Sequence, residues 1–372
     1  MCRHESCMSC DAAPLAPTLA FEGDSGHLRQ PSKAALEEVR THLLLRACEY
    51  FRFLHRPLSV RVERVRREST NPLRRFAISD GERRANVIAK WAPVYASNNE
   101  GLTEYRHYYS FNSECASPAI QCPRPLAFLD KSNALLTEEH SGVPMSLVLK
   151  SFAGAASRTH LTHSVRLAAR WLSAFHKHWP STAVPAKTAW PFIEHSCPWM
   201  TERQLAGEGF RTLESTSLSE RVWCLREAVR KSDFPVHLGE MHREFGPANI
   251  LVCGEGVTVL DAPCNEHGPQ LFDVAEFVAY LRILDFISLR TEMCCRSLED
   301  VFLAEYFGLN SSAPDRGQSR DRALLLLLTV GGVLRNQSRH VKIAEALLGP
   351  VKRACREYFN RNYRRTLATL VA

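Results

Sequence analysis

The chain has 372 residues, a length suited to two lobes or two domains with a substantial buried core. Its hydrophobic share of 45% and charged share of 23% are those of an ordinary globular protein, not of a disordered or membrane-embedded chain. A formal net charge of +7 favours anionic partners in general, but the basic residues are spread along the chain without a nucleic-acid motif, so no nucleic-acid partner is expected.

Residues 1–30 mix Pro, Gly, Ser and Asp with little periodicity and read as a poorly ordered tail. No sustained apolar run opens the chain, so no secretory signal is expected. Thirteen cysteines, an odd number scattered through apparent core segments, fit a reducing cytoplasm better than a disulfide framework. Cys2, His4, Cys7 and Cys10 come nearest to a metal pattern, yet they lack two separated ligand pairs and have little around them to fold on.

Pro31 and Ser32 can cap a helix whose apolar positions Leu36, Val39, Leu43, Ala47, Tyr50, Phe51 and Leu54 recur at three- and four-residue steps, giving one buried face to about His55. From Pro57 the period switches to two. Leu58, Val60 and Val62 alternate against Ser59, Arg61 and Glu63, followed by apolar runs at 76–78 and 87–89 that end at Lys90, which predicts three antiparallel strands. The turn expected at 66–75 contains no glycine-rich phosphate loop. Residues 100–108 open a helix, and 123–128 and 134–142 read as two further extended segments.

A second, larger and mostly helical part is expected from about Val143. Residues 165–176 form a strongly amphipathic helix with Leu167, Trp171, Leu172 and Phe175 inward, closed by His176, which reads as a packed structural histidine. A linker with Trp190, Pro191 and Pro198 follows, then a helix over 217–231. Beyond residue 273 the pattern is helical over 274–290, 298–307, 322–335 and 340–365, with an exposed break at 310–319. The longest apolar stretch, 323–334, is too short for a transmembrane segment and is broken by Gly331 and Gly332, so it is a core helix. The basic cluster of Lys352, Arg353, Arg356, Arg361, Arg364 and Arg365 reads as a solvated helix face.

The chemistry gathers in the sequence His242-Arg243-Glu244-Phe245-Gly246-Pro247-Ala248-Asn249 and in the two short apolar runs after it, 249–253 and 257–260, separated by Gly254-Glu255-Gly256 and ending at Asp261. That hairpin brings Asn249 and Asp261 to the same end. A carboxylate at Glu244, an amide oxygen at Asn249 and a carboxylate at Asp261 are the parts phosphoryl transfer needs: one group orients a hydroxyl, and two hard oxygen ligands hold Mg²⁺ against the phosphates of ATP.

This segment resembles the catalytic loop of the aminoglycoside phosphotransferase and choline kinase-like families, relatives of the protein kinases, whose usual pattern is His-Gly-Asp-x-x-x-x-Asn followed by a strand ending in Asp. Gly268 to Ala275 resembles the start of the family helix whose aspartate, here Asp273, braces the loop from below. Arg243 stands where the family has Gly, and Glu244 where it has the catalytic Asp. The resemblance, in order over roughly residues 58–307, implies an α+β, two-lobed protein kinase-like fold. The expected division is a tail to residue 30, a small antiparallel-sheet lobe with its preceding helix over 31–140, and a helical lobe over 141–372.

Site roles are likewise implied by the resemblance. Lys90 occupies the place of the phosphate-binding lysine, with Glu104 as its ion-pair partner and Glu100 as the second choice. Backbone groups around Glu138, Glu139 and His140 would meet the adenine edge. Glu244 would be the catalytic carboxylate, Asn249 and Asp261 the Mg²⁺ ligands, and His242 and Asp273 the structural support. Glu240, nine residues before Asn249, is set aside because the spacing selects Glu244. The implied activity is transfer of the γ-phosphate of ATP to a hydroxyl of a small molecule. The alternative is a catalytically impaired kinase-like nucleotide-binding or scaffold protein, since Glu244 is longer than the usual Asp. Protein kinase activity is disfavoured because Asp261-Ala262-Pro263 lacks the Phe-Gly that follows the metal aspartate in those enzymes.

Overall fold

Ser32 begins the first described element by accepting a hydrogen bond from Ala35 N at 3.1 Å, which satisfies one of the open donors of helix α1 (Lys33–Phe51). The computed structural model describes residues 30–53, 59–64, 72–91, 100–150, 155–196, 216–261, 267–287, 292–308 and 318–345, together with 357, 361–363, 365–368 and 370. Cys2, His4, Cys7 and Cys10, the end of the first predicted helix at Leu54 and His55, Leu58, Pro198, and most of the basic cluster near the end lie outside the described residues. Helix α1 ends earlier than its periodicity predicts. Arg52 adopts the left-handed conformation at φ 52° and its N–H closes on the Cys48 carbonyl, a capping turn that stops the helix.

A five-stranded antiparallel sheet follows, in the order β1 (Ser59–Arg64), β2 (Leu73–Ser79), β3 (Arg84–Trp91), β6 (Ala134–Glu138) and β5 (Pro125–Leu129). The predicted turn at 66–75 is therefore shorter at its far end, because residues 73–75 already pair with β3. One face packs on α1: Phe76, Ile78, Val87, Ala89 and Leu136 meet Val39, Leu43 and Ala47. Period two fixes the rest, since Ile88 and Lys90 must then point to the opposite face. Val62 departs from its predicted inward place and is 44% exposed, because β1 is an edge strand. Helix α2 (Glu100–Glu114) lies against β5 and β6 and contributes Tyr108 and Phe111 to the main core.

Two short strands, β4 (Ile120–Gln121) and β7 (Val143–Pro144), flank a hairpin of β10 (Ile250–Cys253) and β11 (Gly256–Val259). After the short helix α3 (Met145–Lys150), the long helix α4 (Ala155–His178) buries Leu167, Trp171, Leu172 and Phe175. The segment predicted as a linker is instead β8 (Ser181–Pro185) and helix α5 (Ala186–Ser196), which contains Pro191. Its buried stripe of Ala186, Ala189, Trp190 and Ile193 outweighs the hydrogen bond that the proline removes. Helix α6 (Thr216–Arg230) leads to β9 (Pro235–Glu240), which pairs with β8 and with β12 (His267–Pro269).

The lobe is completed by α7 (Leu271–Ile287), α8 (Glu292–Phe307) and α9 (Gln318–Glu345). The break predicted between residues 335 and 340 is absent, because α9 continues through it. Gly332 allows α9 to lie close to α7, since a Cβ there would stand 2.9 Å from that of Ala279. None of the described helices is long and apolar enough to cross a membrane. Small antiparallel lobe, large helical lobe and intervening hairpin together form an α+β, two-lobed protein kinase-like fold.

Candidate active site

Strand β3 delivers Lys90 to the face of the sheet opposite α1, and helix α2 delivers Glu104 to meet it. The Lys90 Nζ donates to Glu104 Oε1 and Oε2 at 3.0 and 2.9 Å, and to Asp261 Oδ1 at 2.9 Å. The Tyr108 hydroxyl, one helical turn beyond Glu104, donates to its Oε1 at 2.8 Å. Burial alone would lower the Lys90 ammonium, but the carboxylates of Glu104 and Asp261 more than offset this and hold its pKa above the ordinary lysine value. Burial pushes the Glu104 carboxyl up. With the ammonium on both of its oxygens and a hydroxyl donating to one, its neighbours nevertheless match the anion.

The loop between β9 and β10 is built by a chain of tight turns. Glu244 N donates to the His242 carbonyl at 2.7 Å, Gly246 N to the Glu244 carbonyl at 2.7 Å, and Asn249 N to the Gly246 carbonyl at 2.9 Å. These turns drive Phe245 inward, where it is fully buried against Trp171, Phe277 and Phe302, and leave Glu244 exposed. The Glu244 carboxylate has no partner among the described residues. Packing thus sorts the two neighbours, with the aromatic ring anchoring the loop and the carboxylate facing outward.

Asp273, wholly buried in the first turn of α7, holds that loop from below. Its Oδ2 accepts from His242 N at 2.7 Å and lies 3.0 Å from His176 Nε2, and its Oδ1 accepts from Arg243 N at 2.6 Å. His176 in turn meets the Tyr306 hydroxyl at 2.8 Å through Nδ1. Arg243 has φ 57°, a left-handed backbone that costs a residue with a Cβ about 1–2 kcal/mol. Glycine would avoid that cost, so the two amides anchored on Asp273 fix a backbone that arginine does not favour.

His242 supports the other end of the site. Its Nε2 donates to the Leu260 carbonyl at 2.9 Å, immediately before Asp261, while the ring packs edge-on against Trp171 and Phe245. Burial holds this imidazole below its ordinary pKa, so it is neutral at pH 7 and carries its proton on Nε2. Leu260 N donates to the Asn249 carbonyl at 2.8 Å, which puts Asn249 and Asp261 at one end of the hairpin. Asn249 Nδ2 donates to the Glu244 carbonyl at 3.1 Å, so its Oδ1 is directed away from that carbonyl. One amide oxygen and one carboxylate are the hard donor set that Mg²⁺ takes together with phosphate oxygens and water, and these residues fit the ion. Among the described residues no cluster of three or more His, Cys, Asp or Glu could hold a metal without such help.

The segment expected to meet an adenine edge is arranged differently at each residue. Glu138 N donates to the Arg124 carbonyl and Glu139 N to the Asn86 carbonyl, both at 2.9 Å, so those amides are already used. Their side chains turn to arginines, Glu138 to Arg124 at 3.1 Å and Glu139 to Arg75 at 2.9 and 2.5 Å. The His140 N–H meets no acceptor among the described residues. The His140 ring packs towards Thr258 and Gln121, and burial lowers its pKa. Sequence reasoning missed Tyr108, although its four-residue spacing from Glu104 on a helix was a usable signal. It also missed Arg75, whose partner lies 64 residues away and leaves no local pattern.

No family model matches the chain, and no curated protein matches it. Solved structures do. A glucosamine kinase in one crystal form aligns with a TM-score of 0.51 and 14% identity, over 80% of this chain and 76% of its own. The same enzyme in another crystal form gives 0.50 and 15%, over 80% and 73%. A choline kinase from Cryptosporidium parvum Iowa II covers 88% of this chain and 94% of its own, at 13% identity and a TM-score of 0.47. At these identities the likeness to glucosamine kinase carries the fold, and the chemistry must be argued from the site itself.

Proposed function

We propose, for a chain whose fold is similar to that of glucosamine kinase, an ATP-dependent phosphotransferase that moves the γ-phosphate to a hydroxyl of a small molecule. The observation that carries this reading is the convergence of Lys90, Glu104 and Asp261 beside the loop that exposes Glu244, with Asn249 joined through its backbone to Leu260, the residue before Asp261.

Lys90 is held charged by two carboxylates and offers a fixed cation to phosphate oxygens. Asn249 and Asp261 would hold Mg²⁺, which supplies neutralisation of charge on the transferred phosphoryl group. Glu244, whose carboxylate is exposed, would accept the proton of an acceptor hydroxyl and orient that oxygen for in-line attack. This reaction depends on position and charge neutralisation more than on a strong base, so a glutamate can serve where an aspartate is usual. His242, Asp273 and His176 are hydrogen-bonded to one another and to the backbone on either side of the site, and would brace the loop rather than take part in the transfer. The acceptor is proposed only as a class, a small molecule bearing a hydroxyl.

The test uses purified protein. Mg²⁺-dependent binding of ATP is measured by calorimetry, and transfer of labelled γ-phosphate is measured against a panel of hydroxylated small molecules. Binding with transfer to at least one acceptor is the expected result. Binding without any acceptor favours the kinase-like binding module, and absence of nucleotide binding overturns both readings.

A further inference from the structure

The cleft-facing side of the small-lobe sheet carries a row of residues fixed by strand register. Glu63 pairs with Arg75, Arg75 with Ile88, and Ile88 with Thr137, while Lys90 stands two residues along β3 from Ile88. The far side of the sheet is the α1 core, so these side chains share the face that carries Lys90. Running down β3 from Lys90 through Ile88 to Asn86 therefore leads from the charged end of the cleft to Glu139, whose N–H bonds the Asn86 carbonyl.

Arg75 stands opposite Ile88, and its side chain reaches along that row to Glu139. Its Nε and one terminal nitrogen donate to Glu139 Oε2 at 2.9 and 2.5 Å, and its other terminal nitrogen reaches Glu63 Oε2 at 3.4 Å. The Glu139 pairing, against a small loss from burial, holds the guanidinium pKa above its ordinary value. The Arg75 side chain remains 38% exposed and that of Glu139 24%, so the bridge is open to solvent and to a ligand.

On the nucleotide reading, a nucleotide with its phosphates at Lys90 would extend its base along this row, beside Ile88 and Arg75. We propose that Arg75 is a base-contacting residue: the incoming purine displaces it from Glu139, and the planar guanidinium then covers the purine face. The inference rests on the nucleotide reading of the cleft. A guanidinium stacks on an aromatic plane as well as pairing with a carboxylate, which a lysine at the same place could not do in this way. In the free protein the bridge opposes entry of the base. In the complex Arg75 favours it.

The two contributions separate in a double-mutant cycle read by calorimetry, with Mg²⁺-ATP as ligand and inorganic tripolyphosphate as a probe lacking the base. Glu139→Gln releases Arg75 and is expected to tighten ATP binding by up to about fivefold, the range of a half-exposed ion pair. Arg75→Ala made in the Glu139→Gln background is expected to weaken ATP binding by about three- to tenfold, with Arg75→Lys doing nearly the same because it keeps the charge without the plane. Tripolyphosphate binding should stay within about twofold throughout, where RT ln 2 is within measurement error of no change.

The inference is overturned if Arg75→Ala in that background leaves ATP binding unchanged or tightens it, which would make the bridge an obstruction only. It is equally overturned if tripolyphosphate responds as ATP does, since Arg75 would then act on phosphate, or if Arg75→Lys binds ATP as tightly as arginine. These outcomes leave the nucleotide reading standing. A parent protein that binds neither ligand removes that reading and the inference with it.

Discussion

Lys90 and Asp261 are 171 residues apart in sequence and 2.9 Å apart in space. The first stands on a strand of the small lobe and the second at the end of the hairpin in the large one, so one ion pair spans the cleft. Asp261 reaches it from a left-handed backbone with φ 55°, a conformation that aspartate tolerates better than most residues. The sequence reading gave Asp261 only to a metal ion, whereas the geometry also makes it a second counter-charge for Lys90.

Removing Lys90 should harm the fold more than removing its second partner. Lys90→Met strands Glu104, which is 3% exposed, and loss of a buried partner of this kind costs about 3–5 kcal/mol. Asp261→Asn acts on a side chain 36% exposed, where solvent screening reduces the loss to about 0–1 kcal/mol. Urea titrations of the two variants check this. Equal losses would show that Glu104 is not the partner that matters.

Asp261→Ala should abolish the Mg²⁺ dependence of ATP binding, because it takes the formal negative charge from the proposed donor set and leaves Asn249 alone. ATP titrations with and without Mg²⁺ measure the difference directly. A variant whose affinity still rises with Mg²⁺ as the parent's does would rule out the metal role.

Asp273→Ala leaves the amides of His242 and Arg243 without an acceptor, and each buried unpaired donor costs about 1–3 kcal/mol. Arg243→Gly should have the opposite sign. It removes a left-handed arginine and is expected to raise stability by about 1 kcal/mol, less the added entropy of the unfolded glycine. Melting temperatures of both variants provide the check, and a normal value for Asp273→Ala would contradict the bracing role.

Glu244→Gln should lower turnover by about a hundredfold or more with ATP affinity nearly intact, as expected for a base felt only in the transition state. Glu244→Asp should keep or raise activity, since the shorter side chain is the one this loop usually carries in the proteins it resembles. Steady-state kinetics on a verified acceptor distinguish these outcomes. Turnover by the glutamine variant at the parent rate would remove Glu244 from the mechanism.

The buried His242 imidazole gives the fold a defined acid response. Its pKa is lowered by burial, against the opposing pull of Asp273. As pH falls the unfolded chain takes up this proton first. The contribution is therefore complete above the ordinary histidine value of about 6.5 and is lost as pH drops towards the lower folded value, by at most about 1.4 kcal/mol per pH unit. His242→Gln, which can still donate to the Leu260 carbonyl, should flatten the stability curve between about pH 7 and 5.5. An unchanged slope would show that the proton is taken up elsewhere.

Much of the site could be read from the chain because its parts are local. The hairpin turn at residues 254–256 fixes Asn249 and Asp261 at one end, and four-residue steps in α4 foretell that Trp171 and Phe175 support the loop. Period two in β3 announces which way Lys90 points. What stayed hidden depends on distant partners or on packing that outweighs propensity. Pro191 reads as a break until the buried face of α5 is seen, and Val62 reads as core until β1 proves to be an edge. Arg75 and Glu139 are unremarkable charges until the sheet brings them together.

Asp273 also has a kinetic consequence. The amide protons of His242 and Arg243 end on a carboxylate with no solvent exposure, inside a helix packed among the core rings. They can exchange with deuterium only when that region of the molecule opens, so an irregular loop should show protection typical of a core helix. Under the proposed function, a loop held in this way before its ligand arrives would lose little chain entropy on binding, and more of the contact energy would be left to discriminate among acceptors.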